Sequence, residues 1–310
     1  MPPTAAPAAP GTLFELQLPL PDARLGALGA RLIGFEQRYA RIKADLRLIA
    51  DPDGVAAWAR KYHGDDLPIL DALNDRYPLV VLHGDVGTGK TATAQAAAAR
   101  LAQATGKEGM LFTLSTRVRG SGMVGEMSTL INDAFQAITT AAGKSRTAYL
   151  IIDEADSLAG SRGTVQSHHE DKAGVNTLIQ KIDEMRAHGG RVVVFLCTNR
   201  FEALDPAILR RAMLVEQFDR PDAGERRLLL EHDLRGVKLA PGILDELVQL
   251  TGAKGAGPGF TFSDIRTRLL PRAVAAAYPA RGLTADDLLE AAGALEATPQ
   301  FAETPATGRP

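Results

Sequence analysis

The 310-residue sequence has a single cysteine, Cys197, which excludes a fold built on an internal disulfide framework and suits a reducing compartment. Aromatic residues make up only 5% of the chain, too few for the platforms on which single-stranded bases stack. Neither sign of charge dominates. Lys and Arg total 35 against 37 Asp and Glu, a formal net charge of −2, so there is no basic stripe for a nucleic-acid backbone. No apolar run reaches the roughly 18 residues that a membrane-spanning helix needs. The opening "MPPTAAPAAP" has neither the basic region nor the apolar region of a secretory leader. These absences set the expectation of a cytoplasmic protein with no membrane contact and no feature that favours a nucleic-acid partner.

What the sequence does have is ordered along its length. Residues 1–21, rich in Pro and Ala, read as a flexible segment in which "TLFELQLPL" can dock as an extended stretch. Residues 22–78 read as helices. Leu25, Leu28, Leu32, Phe35, Tyr39, Ile42, Leu46 and Ile49 recur at spacings of three and four, predicting one amphipathic helix that "DPDG" ends. Shorter helical patches follow at 55–62 and 67–77. From Leu79 the pattern changes to "LVVLHG", "GMLFTLS", "AYLIID" and "RVVVFLCTN", short apolar runs separated by helix-length stretches, with "VEQFD" as a fifth. Buried parallel strands with helical crossovers require this alternation. After Pro221 only helical patterns remain, over 222–297, and residues 298–310 read as a frayed tail. The expected fold is α/β: a parallel five-stranded sheet flanked by helices over 79–221, followed by a small helical lid domain.

"GDVGTGKT" follows the first of these strands and opens an Ala-rich helix. Gly84, Asp85, Val86, Gly87, Thr88, Gly89, Lys90 and Thr91 form a P-loop pattern. Backbone N–H groups and a helix N-terminus would cradle phosphates, Lys90 would reach the β and γ phosphates, and the Thr91 hydroxyl would serve Mg²⁺. The strand "YLII" ends in Asp153 and Glu154. The first carboxylate belongs by the metal and the second by the γ-phosphate, where it can activate water for ATP hydrolysis. With Asp156 the stretch spells "DEAD", the label of an RNA helicase family. Those enzymes need a second parallel-sheet domain, and nothing after Pro221 reads as one. Asp156 and Ser157 read as helix-capping residues instead.

Over residues 79–297 the chain resembles the AAA+ ATPases. The resemblance implies roles for three more groups. Asn199, at the tip of "CTN", would orient the attacking water. "LDPAILRRAM" would supply an arginine finger to a neighbouring subunit's ATP, through Arg211 or else Arg210, with Leu214 where many relatives carry a second arginine. A finger used in trans implies a ring, a homo-hexamer. "AGVNTLIQKIDEMR", "RRAMLVEQFDRPD" and "DIRTRLLPRAVAAA" narrow the likeness to the pachytene-checkpoint ATPases that remodel HORMA-domain proteins. In that register Arg266 or Arg268 senses nucleotide from the lid, while alignment on "DI" leaves Ser263 there.

Met123 and Val124, in "RGSGMVGEMSTL", occupy the place of a pore loop that grips substrate, or else belong to an ordinary surface loop. His168 and His169 fall where a second pore loop would lie and lack ligand-spaced partners for a metal. The short stretch ahead of the first P-loop strand resembles the bacterial form, associated with CBASS anti-phage operons that encode a HORMA protein and a cyclic-oligonucleotide synthase. The implied function is ATP-driven disassembly of the HORMA-containing complex. Two other functions are compatible with the motifs: a clamp-loader or helicase-loader ATPase on nucleic acid, and a nucleotide-gated assembly scaffold.

Overall fold

A computed structural model describes residues 13–64, 67–73, 76–114, 126–159, 169–255 and 257–300. They fall into two compact units. One takes the described residues within 13–30, 34–83 and 91–217; the other takes those within 31–33, 84–90 and 218–300. The strands are β1 (Phe14–Leu20), β2 (Tyr77–Gly84), β3 (Gly109–Leu114), β4 (Thr147–Ile152), β5 (Val192–Thr198) and β6 (Ala212–Phe218). The helices of the first unit are α1 (Ala23–Leu28), α2 (Phe35–Ala50), α3 (Pro52–His63), α4 (Ile69–Leu73), α5 (Lys90–Thr105), α6 (Glu126–Ala142), α7 (Asp156–Ala159), α8 (His169–Glu184) and α9 (Pro206–Leu209).

Among the described residues the sheet has six strands in the order β1-β3-β4-β5-β2-β6. The pairs β3/β4, β4/β5 and β5/β2 are parallel, and every residue of β4 and β5 is buried, as strands covered on both faces must be. Phe112, Phe135, Ile138, Leu150, Leu178 and Leu196 belong to one apolar core between this sheet and helices α6 and α8. The five expected strands are present, and β1 is an addition. It runs antiparallel to β3 from a stretch read as part of a flexible segment. Phe14, Leu16, Leu18 and Leu20 alternate with exposed residues, and Pro19 is tolerated because β1 is an edge strand.

The single helix expected over the Leu25–Ile49 stripe is broken. Gly34, at φ 74°, takes a left-handed conformation that separates α1 from α2, and such a turn strains any residue with a Cβ. The rest of the stripe holds: α2 buries Phe35, Tyr39, Ile42 and Leu46. It packs within its own unit, with the Tyr39 hydroxyl donating to the Arg100 carbonyl at 3.2 Å. Arg41 of α2 ion-pairs with Glu216 of β6. Asp51 both closes α2 and caps α3, accepting from Gly54 N at 3.0 Å, with Pro52 in the first turn. Tyr77, read as the end of a helical patch, opens β2.

The second unit contains α10 (Ala223–Asp233), α11 (Ile243–Leu250), α12 (Leu270–Ala277), which continues from a π-helical turn over Asp264–Leu269, and α13 (Ala285–Gly293). Capping boxes start two of them: Asp222 with Glu225 for α10, and Thr284 with Asp287 for α13. Leu229, Leu247, Phe260, Ile265, Leu269 and Leu288 are among its core.

Two arginines expected to sense nucleotide are committed elsewhere in this unit. Arg266 Nε and Nη2 donate to Asp233 at 2.5 and 2.9 Å, and Nη1 donates to the Arg31 carbonyl at 2.6 Å. Arg268 Nη1 donates to Asp264 at 2.8 Å. Burial pushes the Asp233 carboxyl up, but hydrogen bonds from Arg266 and His232 outweigh it and hold the group below its ordinary range. Arg266 thus ties its turn to α10 and to Arg31, Arg268 pairs within its own turn, and among the described residues neither donates to the P-loop, which favours a structural role for Arg266 over nucleotide sensing. Arg266→Ala is therefore expected to lower stability by about 2 kcal/mol, the worth of hydrogen bonds to a charged group, while leaving nucleotide affinity unchanged. Thermal melting paired with an ATP titration checks it; a sensor arginine would show the reverse pattern.

Candidate functional site

The ladders of the sheet bring three strand ends level. Ile152 of β4 pairs with Leu196 of β5, and Thr198 at the end of β5 pairs with His83 near the end of β2. Ligands of open α/β sheets gather at such carboxyl ends, where the strand order reverses. From these ends the chain projects Asp153 and Glu154 after β4, Asn199 after β5, and the P-loop after β2.

Thr91, in the first turn of α5, donates its hydroxyl to Asp153 Oδ2 at 2.7 Å. The other carboxylate oxygen, Oδ1, accepts from the Glu154 N–H at 2.9 Å. A hydroxyl and a carboxylate in contact form an all-oxygen donor pair, suited to a hard cation such as Mg²⁺. Glu154 is exposed and, at φ 49°, has positive φ, the only non-glycine residue that does among those described. Strain of this kind persists only where the surroundings over-determine the backbone, and it concentrates at functional sites. Here the Ala155 N–H donates to the Cys197 carbonyl at 2.9 Å, pinning the turn to β5. Asp156 is the first residue of α7 rather than its cap, and its carboxylate accepts from the Thr198 hydroxyl at 2.8 Å. Asn199 follows Thr198 directly and is half-exposed.

The loop Gly84–Lys90 belongs to the second unit and is held by other residues of that unit. Asp85 N–H donates to the Phe218 carbonyl at 3.1 Å, and the approach is so close that a Cβ on Gly84 would lie 2.1 Å from that oxygen. Only glycine fits there. Lys90, 6% exposed, donates Nζ to the carbonyls of Gly84 and Asp85 at 3.0 and 2.6 Å. The Thr88 hydroxyl donates to the same Asp85 carbonyl at 2.7 Å. Ser263 N–H donates to the Gly87 carbonyl at 3.0 Å, so the residue meeting the loop is Ser263, the position that alignment on "DI" identifies. The sequence reading missed Arg220, which ion-pairs with Asp85 at 2.5 Å. An acidic residue in a phosphate loop is itself a signal for a nearby cation, though no spacing rule locates it.

Arg211 and Arg210 have different surroundings. Arg211 follows α9 and turns onto Asp183 of α8, with Nε and Nη2 at 2.5 and 3.0 Å from its two carboxylate oxygens. Nη1 donates to the Ala207 carbonyl at 2.9 Å, and the Tyr77 ring lies 5.5 Å from the guanidinium. The hydrogen bond to Asp183 raises the Arg211 pKa above its ordinary value. Arg210 is exposed. Met123, Val124 and His168 lie outside the described residues, and His169 opens α8.

Residues 80–220 match the family described as "ATPase family associated with various cellular activities (AAA)". Two proteins named CD-NTase-associated protein 6 are similar along nearly their whole length. The one from Escherichia coli strain KTE188 is 49% identical over 280 residues, covering 90% of this chain and 94% of the relative. The one from strain MS 115-1 is 42% identical over 298 residues, covering 93% and 96%. Among solved structures, the E. coli MS115-1 HORMA:CdnC:Trip13 complex contains a chain 41% identical, with a TM-score of 0.86 and coverage of 94% and 98%. A Rhizobiales Trip13 is 33% identical, with a TM-score of 0.70 and coverage of 92% and 99%. Identity of this level across whole chains, together with a P-loop and an Asp-Glu strand end in this fold, shows that the chain is an ATP-hydrolysing enzyme and belongs to the AAA ATPases, in the group of the CD-NTase-associated protein 6 sequences.

Proposed function

We propose that this chain assembles into a ring and spends ATP to take apart a complex containing a HORMA-domain protein, thereby restraining CBASS anti-phage signalling. The observation that carries the proposal is the near full-length match to a Trip13 chain whose structure was solved together with HORMA and CdnC. The near-neutral charge and sparse aromatic residues weigh against the clamp-loader alternative. The strained Glu154 turn weighs against a scaffold that binds nucleotide without hydrolysing it.

In this reading Lys90 exchanges its two carbonyl partners for the phosphates of ATP, and the backbone N–H groups of the loop bind the same phosphates. Thr91 and Asp153 would hold Mg²⁺, the first through its hydroxyl and the second directly or through water. When bound, that ion neutralises charge on the phosphate oxygens. Glu154 takes a proton from the attacking water, and Asn199 holds that water in line. Arg211 leaves Asp183 to meet the phosphates in the neighbouring subunit's site. Arg210 is a second choice for this role because it is exposed while Arg211 is docked within its own chain. Met123 and Val124 would grip the substrate.

Two outcomes test this reading. Glu154→Gln is expected to keep ATP binding and lower hydrolysis about 10²–10⁴-fold, the usual worth of a positioned general base. It should also abolish ATP-dependent release of a labelled HORMA protein from its complex, followed by fluorescence anisotropy. Release at the wild-type rate would remove hydrolysis from the account. Arg211→Ala should lose hydrolysis while each subunit still binds ATP, and Arg210→Ala should not. The opposite ranking in a steady-state ATPase assay would transfer the finger to Arg210.

A further inference from the structure

Asp85 puts a carboxylate at the second position of a loop built for a ligand with several negative charges. The side chain is only 13% exposed, so water does little to screen it. Its counter-ion is Arg220, two residues after β6 and 9% exposed. Arg220 Nε donates to Asp85 Oδ2 at 2.5 Å, and Nη1 donates to the Gly259 carbonyl at 2.7 Å. Nη2 is buried with no hydrogen-bond partner among the described residues. The other oxygen of Asp85, Oδ1, accepts from Val86 N–H at 2.7 Å. Through its main chain the same residue receives Lys90 and Thr88 on its carbonyl and donates its N–H to Phe218. One aspartate thus sets the first half of the loop, and one arginine holds that aspartate. Both lie with the loop in the second unit.

We infer that Arg220 is a positioning and charge-neutralising residue for nucleotide binding, acting through Asp85. Phosphates approaching the loop meet a carboxylate already cancelled by a guanidinium. Without Arg220, the carboxylate stays buried and unpaired beside them and repels them, as like charges in a poorly screened site do. A purely architectural arginine differs in one respect. Losing it would lower the melting temperature of the nucleotide-free protein in step with affinity, whereas a charge-neutralising arginine costs affinity beyond any change in melting temperature.

The inference rests on nucleotide binding at this loop, and the test separates the two. ATP and ADP affinities are measured by calorimetry on the full chain, with melting temperatures of the nucleotide-free proteins alongside. Lys90→Ala should lose binding; if it binds normally, the loop assignment fails rather than the role of Arg220. Arg220→Met is expected to weaken both nucleotides about tenfold or more, a like-charge penalty at close range, and to raise KM for ATP more than it lowers kcat. Asp85→Asn combined with Arg220→Met should recover most of that loss, since no net charge then faces the phosphates. Arg220→Lys, which keeps the charge without the planar fork, should bind more tightly than Arg220→Met and serves as the comparison if the methionine variant does not fold. Wild-type affinity in Arg220→Met, or a double variant no better than that single one, overturns the inference. So does a lysine variant that folds but binds nucleotide at least tenfold more weakly than wild type.

Discussion

Two parallel hydrogen-bond ladders, β4 with β5 and β5 with β2, fix where Asp153, Glu154 and Asn199 leave the sheet. β5 lies between the strand that ends in Asp153 and Glu154 and the strand that leads into the P-loop. A slip of one residue in either ladder would turn every side chain of a strand to the opposite face and place apolar groups where the carboxylates now project. The complete burial of β4 and β5 prevents such slips, since each residue of these strands is packed on one face or the other. The bond from Thr198 to Asp156 ties the end of β5 to the turn after β4, and the bond from Thr91 to Asp153 ties α5 to the end of β4.

Arginine pairing is the second organising feature. Arg211 is held by Asp183, Arg220 by Asp85 and Arg266 by Asp233, each through a side chain that is at least partly buried. Guanidinium groups suit this use, because a planar fork can satisfy a carboxylate and still reach a carbonyl. All three also donate to a main-chain oxygen, at Ala207, Gly259 and Arg31. The pairs differ in what they permit. Asp183 is 40% exposed and can release its arginine to a partner at modest cost, whereas Asp85 and Asp233, at 13% and 11%, cannot.

What was legible in the sequence was local. The P-loop reads directly because strand, glycine loop and helix follow one another within a few residues, and Asp153 and Glu154 read directly because they end a run of buried aliphatic residues. The stripe of α2 was legible, but its start was not: Gly34 could be read as a weak helix former, yet its left-handed turn depends on the tertiary path. β1 carried a visible two-residue alternation that its Pro- and Ala-rich surroundings hid, and an edge strand becomes one only when β3 is there to pair with it. The roles of Arg266 and Arg268 were not legible, because a charged residue on a helix face looks the same in sequence whether it meets nucleotide or a neighbouring aspartate. Arg220 was missed for a related reason. Its partner lies 135 residues away in the chain, beyond any spacing rule.

The central claim is that hydrolysis needs two subunits, one contributing Glu154 and its neighbour contributing Arg211. Mixing Glu154→Gln subunits with Arg211→Ala subunits examines it most directly, in an ATPase assay run while labelled subunits are shown to exchange. Each parent alone lacks one group at every interface. In the mixture, some interfaces pair an intact Glu154 with an intact Arg211, and the account predicts that hydrolysis returns. A freely exchanging mixture as inactive as either parent would contradict it.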